Sequence, residues 1–194
     1  TYAQQTGRAV PSGDTGDYCR ARAKLDLDAL RDLVAHTAGR LEQDAPADWL
    51  WHGRHAKLVD GFTVTMADTA ANQAVYPQAK TQAPGVGLPI ARTVAVLSLA
   101  TAAIHDLAIG PYAGKETGET ALLRSLLAGF DDGDIMVADR CYCSFMMLAQ
   151  LAGRGVDVCA RLHQCRKEDW SDGQRLGPDD RLVTWTRPAR PAWM

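Results

Sequence analysis

The chain is short of glutamate: four Glu (Glu42, Glu116, Glu119 and Glu168) stand against nineteen Asp. Glu is the better helix former and Asp the better cap and turn residue. The imbalance therefore argues against long charged helices and leaves few candidates for any role that needs a Glu. Long apolar runs are missing too. The longest, Thr93 to Ala103, ends at His105 and Asp106 and is about half of the ~20 residues a membrane helix requires, so no membrane association is expected. Positive charge is not in excess, with 21 Lys and Arg against 23 Asp and Glu. That excludes a free-standing basic nucleic-acid module, whose non-specific affinity comes from cations neutralising phosphates. The five cysteines (Cys19, Cys141, Cys143, Cys159, Cys165) are odd in number and follow no secretory apolar segment, which predicts reduced thiols and a cytoplasmic chain. No Met precedes Thr1, and Pro191-Ala-Trp-Met194 supplies neither a helix stop nor a polar tail, so both ends are expected to be cut. What is present is ordinary: 194 residues, 46% apolar and 23% charged. Such a chain can bury roughly 70% of its unfolded surface without disulfides or a structural metal.

Along the chain, three segments separate by texture. In residues 1–48, Asp17 is predicted to cap a short helix to Lys24. Leu27, Leu30, Leu33, Val34, Ala38 and Leu41 then recur at spacings of three and four, which predicts an amphipathic helix from Leu25 to Glu42. Asp44-Ala-Pro-Ala-Asp48 reads as a linker. In residues 49–162, Ala56 to Met66 predicts a hairpin of two strands around an Asp60-Gly61 turn. A long irregular loop over 67–88 follows, and Ile90 to Ile109 predicts one long strand or a tight pair. Gly110 to Gly114 breaks the strand, and Thr117 is a plausible N-cap for the next helix. Ile135-Met-Val-Ala138 is a buried-type strand, Ser144 to Gly153 a helix and Val156 to Leu162 another strand. The order β-β-β-α-β-α-β predicts an α/β (α+β) chain with a mixed sheet flanked by helices. Residues 163–194 turn basic, with a strand predicted over Leu182 to Thr186.

The sharpest pair of candidate functional residues is Asp60 and Asp139, each directly after a short apolar strand. Two such strands side by side would bring together two hard oxygen ligands, as a divalent-metal phosphoryl-transfer site requires. For Asp60 the turn chemistry of Asp-Gly competes with this role. Glu119, at a helix start, either complements the helix dipole or adds a ligand. Gly110 to Thr117 departs from a phosphate-binding loop in the spacing of its glycines and in having Glu116 where a hydroxyl is needed. Cys141-Tyr-Cys143 and Cys159-x3-His163-x-Cys165 lack standard zinc spacing and suit core packing better. Trp51-His-Gly-Arg-His55 and its flanking Trp49 suit packing better than DNA contact. In the basic tail, Trp170 or Trp185 could stack on bases.

The blocks Trp51-His-Gly-Arg-His-Ala-Lys-Leu-Val-Asp60-Gly, Tyr76-Pro-Gln, Pro84-Gly-Val-Gly-Leu-Pro-Ile-Ala-Arg92, Gly118-Glu-Thr-Ala-Leu-Leu-Arg124 and Gly133-Asp-Ile-Met-Val-Ala-Asp139-Arg-Cys-Tyr142 resemble, in that order, the catalytic region of bacterial transposases of insertion-sequence family four. The likeness runs from about Thr6 to the last residue. It implies a ribonuclease-H-like fold and an Asp-Asp-Glu site for two Mg²⁺ (or Mn²⁺) ions. One ion activates a water or a DNA 3′-hydroxyl and the other stabilises the leaving oxygen, giving end nicking, hairpin formation and strand transfer. Asp60 matches the first family aspartate and Asp139 the second, so both are the expected catalytic and metal-binding residues. Double-stranded DNA of transposon ends and target is the implied partner, with Arg140, Arg161, Arg166, Lys167 and Trp185 expected to face it. The implied full-length form is a homodimer, associated with the nucleoid when on DNA. Residues 163–194 look like the start of the family's β-rich insertion.

The chain departs from the family at the third acid. No Tyr-x2-Arg-x3-Glu-x6-Lys signature is present, and Glu168, the only Glu beyond Asp139, sits in a Lys-Glu-Asp-Trp stretch instead. The N-terminal DNA-end-binding domain is mostly missing as well. The expectation is a catalytic-core fragment with two of three ligands and no strand transfer by itself. Two alternatives stay open: a non-catalytic remnant that binds DNA or a full-length partner, and a metal-dependent nuclease or phosphatase whose site is completed locally by Glu119.

Overall fold

The computed structural model describes residues 5–7, 15–163 and 171–189. A five-stranded sheet is built from β1 (Ala56–Thr65), β2 (Ile90–Ser98), β3 (Ile104–Pro111), β4 (Ile135–Ala138) and β5 (Asp157–Ala160), in the order β3-β2-β1-β4-β5. β1, β2 and β3 pair antiparallel, whereas β4 pairs parallel with both β1 and β5. Parallel neighbours need a long crossover rather than a tight turn. β2, β3 and helix α4 (Glu119–Leu126) lie between β1 and β4 in the chain, and α5 (Phe145–Ala152) lies between β4 and β5. The expected mixed α/β sheet flanked by helices is therefore present.

Alternation along the strands builds the core. Val59, Val94, Val96, Ala108, Met136 and Ala138 join Leu123 and Leu126 of α4 and Met147 and Leu151 of α5 in one buried cluster. Each helix starts where its local chemistry dictates. Asp26 caps α2 (Leu27–Gln43) by accepting from the Asp28 N–H, and Ser144 caps α5 by accepting from the Met147 N–H. α1 (Thr15–Arg22) buries no residue, and α2 buries only Ala38. α2 lies on the side of β3 that carries His105, Leu107 and Ile109, opposite to the core residue Ala108. A separate pair, β6 (Gln174–Arg175) and β7 (Arg181–Leu182), lies in the basic tail, shorter than the strand expected over Leu182 to Thr186.

Several expectations are overturned. Asp60-Gly61 is not a hairpin turn: β1 runs straight through it, with Asp60 opposite Ala95 and Gly61 opposite Val94 on β2. The glycine has a different reason to be there. A Cβ on Gly61 would stand 2.5 Å from Cδ of Glu119, so its missing side chain admits a close approach by α4. The hairpin forms instead between β1 and β2, across residues 66–89. That connection, expected to be irregular, contains helix α3 (Ala70–Val75), capped by the Thr69 hydroxyl. It is also fastened by Gln78, whose Oε1 accepts from the Gly85 and Gly87 N–H groups while its Nε2 donates to the Ala83 carbonyl at 2.8 Å. Ile90 to Ile109 forms the tight pair. α4 starts one residue later than Thr117 implies, because Gly118 is its N-cap and the Thr117 hydroxyl donates back to the Gly114 carbonyl. Among the described residues no helix is long and apolar enough to cross a membrane.

Candidate functional site

The parallel ladder pairs Val59 of β1 with Ala138 of β4, and Ala138 with Ala160 of β5. One residue further along, Asp60, Asp139 and Arg161 form a row at the same level of three neighbouring strands, and all three are exposed. The row lies just past the carboxyl ends of β4 and β5, while β1 runs on beyond Asp60 to Thr65.

Each carboxylate is oriented by its own backbone. Asp60 Oδ1 accepts from the Gly61 N–H at 2.8 Å. Asp139 caps the 3₁₀ turn Arg140–Tyr142 by accepting from the Cys141 N–H. That backbone hydrogen bond, followed by one from the Cys141 thiol and by the charges of Arg140 and Arg161, holds the Asp139 carboxyl below its usual value. Asp139 is thus an anion with a cation on its flank.

Glu119 enters from α4. Its Oε2 accepts from the Tyr142 hydroxyl at 3.3 Å and lies 3.4 Å from the Cys141 sulfur. Cys141 is exposed as a residue, yet its sulfur is turned inward. Burial first, then hydrogen bonds to Asp139 and Glu119, push the thiol well above its usual range. It therefore stays an S–H donor bridging two carboxylates and is no nucleophile. Tyr142 is fully buried, and burial, reinforced by the negative charge of its neighbours, keeps its hydroxyl protonated.

Asp60 and Asp139 offer hard oxygen donors suited to a magnesium or manganese ion completed by water. Among the described residues, no three His, Cys, Asp or Glu side chains are grouped so as to hold a metal ion. The donor set thus fits a two-carboxylate clamp and falls short of a closed metal cage.

Of the residues expected to face DNA, Arg161 joins the row. Arg140 follows Asp139 and is half-buried. Trp185 is half-buried too, its ring edge-on to Phe145 with centroids 5.6 Å apart. Arg166 and Lys167 lie outside the described residues, as do Trp170 and Glu168. Cys141 and Cys159 are exposed free thiols, and Cys143 is buried. Residue-level reasoning missed that Arg161 flanks Asp139 and that Glu119 abuts Gly61. The usable signal for the second was Gly61 itself, a glycine inside a β-branched run. No family model matches the chain, and neither a curated protein nor a solved structure matches it significantly.

Proposed function

We propose that this chain is a catalytic-core piece of a DNA-cutting and DNA-joining phosphoryl transferase of the insertion-sequence transposase kind, built on a ribonuclease-H-like sheet. The observation that carries the proposal is the register of β1 and β4, whose last pair, Val59 with Ala138, is followed by Asp60 on one strand and Asp139 on the other. The β3-β2-β1-β4-β5 order, three strands antiparallel and two parallel, supports the fold part of it. In this scheme Asp60 and Asp139 hold a divalent cation through their outward oxygens. When bound, that ion supplies Lewis-acid activation of a water and of the scissile phosphate. Arg161 offsets phosphate charge beside Asp139, and the Cys141 N–H keeps Asp139 ionised. A DNA-bound homodimer of the longer protein belongs to the same proposal. The carboxylate count argues for a site that is incomplete in this chain.

Calorimetry with Mn²⁺ tests the clamp. Weak binding that is lost in both Asp60→Asn and Asp139→Asn is expected, and equal binding by the parent and both variants would sink the proposal. A nicking assay on duplex DNA tests incompleteness, since robust Mn²⁺-dependent cleavage by this chain alone would refute it. The closeness of Glu119 to Gly61 favours one second reading, a nuclease completed locally by Glu119. That reading requires cleavage that disappears in Glu119→Gln while thermal stability is kept.

A further inference from the structure

Away from the strand ends, Glu42 in the last turn of α2 is a carboxylate with a side chain only 10% exposed. Three strands face it. His55, the residue before β1, brings Nδ1 to 2.9 Å from Oε2, and His105 on β3 brings Nε2 to 3.4 Å from Oε1. The Ser98 hydroxyl, at the end of β2, adds a hydrogen bond. On the helix itself Arg40 lies 3.9 Å from Asp44. Arg54, beside His55, is turned instead to the Gly133 carbonyl and to Asp157. The charge that faces Glu42 from the sheet is therefore the imidazole pair.

Glu42 Oε1, His55 Nδ1 and His105 Nε2 are all buried. Away from water, the attraction between the carboxylate and the two imidazoles is little screened. The rest of α2 has little other hold on the sheet. Ala38 is its one buried residue, whereas Leu27, Leu30, Leu33, Val34 and Leu41 are between 40% and 60% exposed.

We propose that Glu42, His55 and His105 form a proton-controlled clasp that holds α2 on the sheet, closed while Glu42 is ionised and opened by protonation of Glu42. Opening releases α2 from β3 and widens the groove lined by Leu30, Val34, Leu107 and Ile109. The sign follows from Glu42. Burial alone would raise its pKa, but Ser98 and the two imidazoles outweigh burial and hold the carboxyl below its usual value. A depressed carboxyl contributes docking above the ordinary glutamate value, and the contribution is lost as pH falls through the folded-state value.

Hydrogen exchange of the whole chain tests this at about pH 7, 5 and 2.5, which span carboxyl titration. After correction for intrinsic rates, α2 peptides should exchange slowly at the two higher pH values. At the lowest pH they should exchange at least tenfold faster, with β1, β2 and β4 peptides still protected. Glu42→Gln should give the fast α2 exchange at every pH, and the milder Ser98→Ala a partial increase. Three results would overturn the clasp: unchanged α2 exchange in Glu42→Gln, acid opening that persists in Glu42→Gln, or loss of protection in the sheet in step with α2.

Discussion

The two ends of the β1/β4 pair carry charged residues of the same kinds in opposite circumstances. At the end where the two strands begin, Lys57 is 2% exposed and the neighbouring Asp134 4%. Lys57 Nζ lies 2.6 Å from Asp134 Oδ2, donates to the Gly129 carbonyl at 3.0 Å and sits over the Phe130 ring. Asp134 Oδ2 also accepts from the Asp131 N–H. At the other end Asp60 and Asp139 are exposed, and each spends Oδ1 on a local N–H. A buried charge persists only when it is paired and hydrogen-bonded, and such pairing leaves it nothing to offer a ligand. The first end is therefore an anchor, whereas the second keeps oxygens available for chemistry.

The sharpest way to break this contrast is to unpair the anchor. Asp134→Ala leaves the buried Lys57 ammonium with only the exposed Asp131, 3.7 Å away, and is expected to cost about 3 kcal/mol in a denaturant melt. A loss below ~1 kcal/mol would mean that this end anchors nothing. Next comes Gly61→Val, which drives a side chain into Glu119. A loss of about 1–3 kcal/mol is expected, largely recovered in the double variant with Glu119→Ala. Asp60→Asn and Asp139→Asn should leave stability within roughly 0.5 kcal/mol. They should weaken Mn²⁺ binding at least tenfold, which is about 1.4 kcal/mol. Because Asp139 is held below its usual value, its charge is present above the ordinary aspartate range and is lost only as pH falls through the lowered value. Acid titration followed by NMR should find Asp139 protonating at lower pH than an aspartate in a model peptide. Smallest is a rate effect. Cys141, with its thiol pushed up, should alkylate several-fold more slowly than a free cysteine at about pH 8, and Glu119→Gln should speed it, as read by mass spectrometry.

Much of this was visible without coordinates because it depends on neighbours in the chain. Ile135-Met-Val-Ala138 is an unbroken apolar tetrapeptide bounded by Asp134 and Asp139, and β4 has those bounds. The three-four spacing of Leu27 to Leu41 gives α2, and Ser144 marks the start of α5. Asp139 was recognisable as an acid at a strand end, whereas Asp60 lies inside β1. Asp60-Gly61 misled because a dipeptide that favours a turn in isolation was set by a distant helix: Glu119 needs the space that a side chain would fill. α3 and the Gln78 bonds were hidden because their partners lie along a loop with no periodicity.

Local pattern alone thus determined that the chain is a mixed α/β unit with an acid, Asp139, placed directly after an apolar strand, since alternation, capping and strand ends are properties of adjacent residues. Tertiary structure decided which charges became neighbours. Strand order and register put Arg161 next to Asp139, Glu119 against Gly61 and Asp134 onto Lys57, and they surrounded Glu42 with two imidazoles. Those outcomes depend on backbone pairing across dozens of residues, and burial then determined whether each charge anchors the fold or stays available at its surface.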